Sequence, residues 1–259
     1  MSDNPIILSD NHKNLSLVNN NLSQPSRIKQ MILSEVMGTI TTEPTTDWQD
    51  LEPYEDETTE KWGYKNKNTG EIVIKPKYDR TWEFSEGLGN VELNDKEGFI
   101  NKDGIEVIQI KYDYLDDFNR LSEGLAKVKL NSKWGFINRD EVEIIAIKYD
   151  YVDMLGFSDE LIRVELNNKW GFVNKNGVEV IPLKYDYARS FSRELTQVKI
   201  DSKWGMINSN GEEIIAIKYD YIEDFDIFSD DIFPEGTTGV RLNDKCGKID
   251  KQGNEYWDE

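Results

Sequence analysis

Between residues 126 and 130, apolar and polar positions alternate one for one. Ala126, Val128 and Leu130 interleave with Lys127 and Lys129. The same period of two returns where Ile162, Val164 and Leu166 interleave with Arg163 and Glu165. Such alternation predicts a half-buried strand, strand a, with the charged positions facing water. Two polar residues follow each time: Asn131-Ser132, Asn167-Asn168 and Asp201-Ser202. Asn and Asp tolerate left-handed backbone, so a tight hairpin is expected there. The next segment, KWGFIN at 133–138, predicts strand b. NKDG and NKNG tetrapeptides then predict a second turn, with glycine in the left-handed position of a bulged type I turn. In the third copy that slot holds Glu141, which would be strained, so a different turn is expected. Strand c follows. Ile181, Leu183 and Tyr185 point one way, and Val180, Pro182 and Lys184 the other. Pro76 and Pro182 donate no N–H and fit an edge strand or a non-bonding side. Each unit is therefore expected to be a three-stranded antiparallel meander. The stretch between units is expected to be a loop or a short turn of helix.

The pattern repeats along the chain. The W-G segment recurs as KWGYKN at 61–66, KEGFIN at 96–101, KWGFIN at 133–138, KWGFVN at 169–174, KWGMIN at 203–208 and KCGKID at 245–250. Its glycines, Gly63, Gly98, Gly135, Gly171, Gly205 and Gly247, are spaced by 35, 37, 36, 34 and 42 residues. A Tyr-Asp pair closes each of the first five copies, led by Tyr78, Tyr112, Tyr149, Tyr185 and Tyr219. An aromatic stands six residues beyond most of these tyrosines (Phe84, Phe118, Phe191 and Phe225), followed by a SEGL-like corner. A constant period of this length marks an array of stacked units. A single meander is too small to stand alone, because its apolar face offsets chain entropy only when a neighbour covers it.

The combination KWGFINxxGxEVI…KYD…FSEGLAxVKL resembles the consensus of the bacterial WG-repeat proteins, also called KWG repeats, over about residues 61–256. The resemblance implies an all-β repeat array. It implies little about activity and carries over no catalytic residue. The chain departs from the consensus at Glu97 and Cys246 in the Trp slot, at Glu141 in the turn slot, and in a long acidic insertion near 224–236.

The fold expected is all-β: about six tandem units over residues 61–259, in an open elongated array. The alternative is a closed six-bladed, propeller-like ring. Three strands per unit and uneven spacing weigh against closure. Residues 1–60 are expected to form a polar acidic tail. It includes a disordered start, one short helix near 26–37 between Ser26 and Gly38, and an acidic linker over 41–60. Strand a is expected to be missing before the first copy, since 56–60 read DETTE.

Charge narrows the partners. The formal net charge is −19, of which residues 1–60 supply 11 acidic and 3 basic side chains. So negative a surface repels phosphate backbones and anionic lipid, so neither nucleic acid nor membrane is expected as a partner. No apolar run reaches the ~20 residues of a membrane span, and no secretory leader is visible. The expected compartment is the cytoplasm.

The chemical inventory points away from catalysis. The one histidine, His12, lies outside the array, and the one cysteine, Cys246, occupies a Trp slot, where burial is expected. No nucleophile–base arrangement, phosphate loop or zinc spacing can be built. No catalytic residue, cofactor or metal is expected. Trp62, Trp134, Trp170 and Trp204, with the five tyrosines, are expected to tile one unit onto the next; the competing role for the indoles is a ladder of platforms for sugar. The insertion at 222–236 gathers Asp224, Asp226, Asp230 and Asp231 around Phe228 and Phe233, and is the candidate binding loop. The expected function is a non-enzymatic scaffold acting through protein–protein interaction. The alternatives are carbohydrate or cell-wall binding through aromatic platforms, and an immunity or adaptor protein for a basic partner.

Overall fold

The computed structural model describes residues 46–118, 124–154, 156–223 and 237–258. The expected tail helix near 26–37 and the candidate loop residues Asp224, Asp226, Phe228, Asp230, Asp231 and Phe233 lie outside them. The described chain is all-β apart from one turn of 3-10 helix at Trp48–Asp50. No described helix is long and apolar enough to cross a membrane.

Six antiparallel sheets follow one another along the chain. The first holds β1 (Leu51–Asp56), β2 (Lys61–Asn66) and β3 (Ile72–Tyr78). The second holds β4 (Arg80–Ser85), β5 (Leu88–Glu92), β6 (Glu97–Ile100) and β7 (Glu106–Tyr112). The third holds β8 (Tyr114–Leu115), β9 (Ala126–Leu130), β10 (Lys133–Ile137) and β11 (Glu143–Tyr149). The fourth holds β12 (Tyr151–Val152), β13 (Leu161–Leu166), β14 (Lys169–Asn174) and β15 (Glu179–Tyr185). The fifth holds β16 (Tyr187–Ala188), β17 (Leu195–Ile200), β18 (Lys203–Asn208) and β19 (Glu213–Tyr219). The sixth holds β20 (Tyr221–Ile222), β21 (Thr237–Leu242), β22 (Lys245–Asp250) and β23 (Glu255–Trp257).

The a–b–c meander is present in every sheet. From the second sheet on, a further strand precedes strand a, which the repeat pattern did not predict. It is only two residues long in four sheets, immediately after the Tyr-Asp pair. Each a–b hairpin from the second sheet on has two consecutive left-handed residues, such as Asn131 and Ser132 (φ 50° and 66°). That is the turn whose twist suits adjacent strands. Glu141 does not turn differently: it takes φ 61° beside Gly104, Gly177 and Gly211 at 75° to 80°. Its carboxylate compensates, accepting from the Tyr112 hydroxyl (3.1 Å) and pairing with Lys111 (2.7 Å) in the preceding sheet.

The array also begins earlier than the W-G register indicates. LEPYED at β1 serves as strand a of the first sheet, pairing residue for residue with β2. Asp56 caps the β1–β2 turn by accepting from the N–H groups of Thr58 and Thr59.

The core is divided among five junctions. Each apolar cluster takes residues from two successive sheets; one joins Phe136, Ile145 and Tyr149 to Val152, Ile162 and Val164, and the next joins Phe172, Ile181 and Tyr185 to Ala188, Phe191 and Val198. Inner sheets are therefore packed on both faces. This overturns the expectation that the polar positions of strand a face water: Lys127 is 3% exposed and Gln197 1%. Gln197 donates to the Glu223 carbonyl and Arg163 to the Ala188 carbonyl, both in the following sheet. Described strands of the first and sixth sheets share no extensive contact, so the array is open.

The W-G glycine is explained by strand c. A bulge in β15 opposite Gly171 lies between the pairs Trp170–Tyr185 and Phe172–Ile181. A Cβ on Gly171 would sit 2.6 Å from the Ile181 carbonyl oxygen. The same collision, with a backbone oxygen 2.2 to 2.7 Å away, awaits a Cβ at Gly63, Gly98, Gly135, Gly205 and Gly247.

Candidate functional site

The aspartate of each Tyr-Asp pair fixes the geometry of the most distinctive face. Asp150 forms an ion pair with Lys133 of its own sheet. Its other oxygen accepts from the Asn167 N–H at the next a–b hairpin (2.8 Å). The arrangement recurs at Asp79 with Lys61, Asp113 with Lys96, Asp186 with Lys169 and Asp220 with Lys203. The lysine hydrogen bond holds each of these carboxyls below the usual aspartate range. Each aspartate thus locks one unit's end to the next unit's hairpin.

The residue after that aspartate is a second tyrosine: Tyr114, Tyr151, Tyr187 and Tyr221. Pleating sends this tyrosine to the face opposite its buried neighbour. Cross-strand register then builds a row of three on each sheet. Tyr151 faces Glu165, and Glu165 faces Trp170. Tyr187 faces Lys199, and Lys199 faces Trp204. Tyr114 faces Lys129, and Lys129 faces Trp134.

The rows of the fourth and fifth sheets touch. Ring centroids lie 5.3 Å apart for Tyr151–Trp170, 5.9 Å for Trp170–Tyr187 and 5.7 Å for Tyr187–Trp204. Tyr114 and Trp134 form a further pair at 5.5 Å. These are tilted and edge-on contacts, a favourable aromatic geometry. Cations cover the ring faces: Arg163 lies 4.7 Å from the Trp170 centroid, Lys199 5.2 Å from Trp204, and Lys127 and Lys129 over Trp134. In the fifth sheet, Asp186, Tyr187, Arg189, Lys199, Ser202 and Trp204 line an open cavity of about 420 Å3.

The sequence-derived positions fall into two groups. Tyr78, Tyr112, Tyr149, Tyr185 and Tyr219 are fully buried at the junctions. Burial raises the hydroxyl pKa of Tyr112, Tyr149 and Tyr219. Trp62, Trp134, Trp170 and Trp204 are instead half-buried. One side of Trp134, Trp170 and Trp204 packs on a junction core, and the other remains open along the row. They are neither sealed between units nor bare platforms. Trp62 stands apart, since Arg80 occupies the second-tyrosine slot that would meet it.

Glu97 fills the Trp slot of the second sheet differently. Its carboxylate accepts from the Leu115 N–H (2.9 Å), and burial raises its pKa. Cys246, expected to be buried, is exposed, because no described unit covers the sixth sheet. Among the described residues no group of three or more His, Cys, Asp or Glu side chains could hold a metal ion.

The sequence reading missed the second tyrosine and the cross-strand residue between Tyr and Trp. Both were available, since KYDY recurs four times in register with the W-G segment.

The model of the repeat described as WG containing repeat matches residues 62–96, 98–134, 134–170, 170–204 and 204–226. Comparison with curated proteins gives no match. Among solved structures, the chain is similar to Kluyveromyces lactis Hsv2 with loop 6CD replaced by a Gly-Ser linker, at 10% identity, covering 79% of this chain and 73% of that one, TM-score 0.35. It is similar to a eukaryotic initiation factor at 9% identity, covering 80% and 72%, TM-score 0.36. It is also similar to the extracellular domain of a putative one component system from B. thetaiotaomicron at 13% identity, covering 86% and 36%, TM-score 0.31. These likenesses are too loose to bear on function.

Proposed function

The chain belongs to the WG containing repeat family, and from that premise we propose that it is a non-enzymatic cytoplasmic scaffold that binds a protein partner through its Tyr–Trp face. The observation that carries this reading is the continuous run Tyr151–Trp170–Tyr187–Trp204. Rings needed only for tiling would be buried like Tyr149 and Tyr185. These stay half-open in a row, with fixed cations among them. Tyr, Trp and Arg are the side chains that dominate protein interfaces, and the two aromatics supply large contact area at low entropic cost. The net charge of −19 supports a protein over a nucleic acid.

The half-open indoles also favour a second reading, a sugar ligand. A sugar needs the flat face of a ring, and here the faces of Trp134, Trp170 and Trp204 already carry Lys or Arg side chains. That weighs against it.

Photo-cross-linking in the source cell tests the reading. A benzophenone amino acid is placed at Tyr187 or at Val180, both 37% exposed, Val180 lying on the outer strand β15. A protein adduct at 187 and not at 180 is expected. Adducts at 180 alone, or equal adducts at both, would contradict it, as would polysaccharide retained by the chain with no protein adduct.

A further inference from the structure

The inference that follows rests on the Tyr–Trp face being the working surface, and concerns what that surface selects. The residue between each tyrosine and tryptophan changes sign from sheet to sheet: Lys129 in the third, Glu165 in the fourth and Lys199 in the fifth. The tyrosine and the tryptophan that flank it repeat. Among the described residues none of the three has an ion-pair partner within 4 Å, whereas the repeat's other lysine beside the Trp is paired with aspartate throughout. An unpaired charge held between two aromatic rings is poised to meet a charge from outside.

The surroundings of the fourth and fifth sheets differ as well. In the fifth sheet the one carboxylate of the cavity wall, Asp186, already holds Lys169 (2.6 Å) and the Asp201 N–H (2.7 Å) beside Lys199. In the fourth sheet the position of Arg189 is taken by Asp153, which holds Arg163 at 3.4 Å. The cation over Trp170 is therefore neutralised, and Glu165 sets the local sign. The row is bounded, since Glu97 and Cys246 replace Trp on either side of these three sheets.

We propose that the face takes an extended segment of a protein partner carrying acidic, basic and acidic side chains in turn, one opposite each of Lys129, Glu165 and Lys199. Spacing sets the period. Tyr187 touches both Trp170 and Trp204, so the fourth and fifth rows lie no more than about 12 Å apart, and the repeat carries that spacing to the third. An extended chain rises about 3.3 Å per residue, which gives three or four residues between charges.

Fluorescein-labelled Gly/Ser peptides test this by anisotropy against the full chain. They carry Glu, Lys and Glu at three- or four-residue spacing, or the inverse Lys, Glu and Lys. The Glu-Lys-Glu peptides are expected to bind at least ten-fold tighter, with a preference that shrinks in high salt. The triple exchange Lys129→Glu, Glu165→Lys and Lys199→Glu is expected to reverse the preference. The milder Lys199→Gln should reduce it, and circular dichroism should show both variants folded. Equal binding of the two peptide classes, binding of neither at millimolar concentration, or no change on exchange would overturn the proposal. Tyr187→Ala separates the two readings. If it abolishes binding while the charge exchanges do nothing, only the selectivity is lost. If it leaves peptide binding intact, the face is not the surface at all.

Discussion

Replacing Gly171 with alanine isolates the physical reason for the W-G pair. Gly171 has no left-handed φ to lose, so the substitution tests space alone. The new Cβ would stand 2.6 Å from the Ile181 carbonyl oxygen and 2.9 Å from the Leu183 nitrogen. Both are backbone atoms of β15, so no side chain can swing aside; the strand itself must retreat. Overpacking of this kind costs about 1–3 kcal/mol. With a buried ladder displaced as well, the upper end, about 3 kcal/mol, is expected. Gly70→Ala is the matched control, with φ 75° and nothing within 4 Å of the new Cβ. It pays only for left-handed strain, about 1 kcal/mol. Urea unfolding followed by circular dichroism gives both costs. Hydrogen exchange should show the Gly171→Ala loss centred on the fourth and fifth sheets, since stability in an array is a sum of unit and neighbour terms. If Gly171→Ala costs no more than Gly70→Ala, the close approach of strand c is not why glycine stands there.

Other outcomes follow from single features. Glu194, at φ 65° where the second sheet has Gly87, should become more stable by about 1 kcal/mol as Glu194→Gly, read from the urea midpoint. The five aspartates held low by lysine contribute above the unfolded aspartate pKa of about 3.9. That contribution is lost as pH falls through their lower folded values, so stability should be flat near neutrality and fall below about pH 4. Asp150→Asn should flatten that acid limb, and superimposable acid titrations of the two proteins would show that the pairs contribute nothing. The buried tyrosines Tyr112, Tyr149 and Tyr219, whose pKa values are raised, stabilise the fold while neutral. Their contribution is lost as pH rises above the unfolded value of about 10, so an alkaline unfolding limb should appear in a fluorescence titration.

The unit register, the Asn/Asp hairpins and the buried tyrosine of each Tyr-Asp pair were legible because each is a local pattern repeated several times. What was not legible has physical reasons. A two-residue strand such as β8 cannot display a period of two, and only the neighbouring β9 defines it. LEPYED at β1 lacks the consensus, with Pro53 inside it, so pairing with β2 alone makes it a strand. Lys127 reads as a solvent position until the next sheet covers it; its ammonium lies over the Tyr114 and Trp134 rings of its own sheet and beside the Met154 sulfur of the next. The Tyr–Trp row combines strands from successive units, so no single repeat contains it. Its sequence traces were the second tyrosine of KYDY and the polar strand-a residue in register with the Trp.

Binding at this face depends on indoles that are half-open along a surface whose charge alternates between units. Single-tryptophan variants, with the remaining tryptophans changed to phenylalanine, test this by quenching with iodide and with caesium. Trp204, beside Lys199, should be reached by iodide more readily than by caesium, and Trp170, beside Glu165, should show the opposite preference. Indoles closed to both quenchers, or the same ratio at both positions, would contradict it.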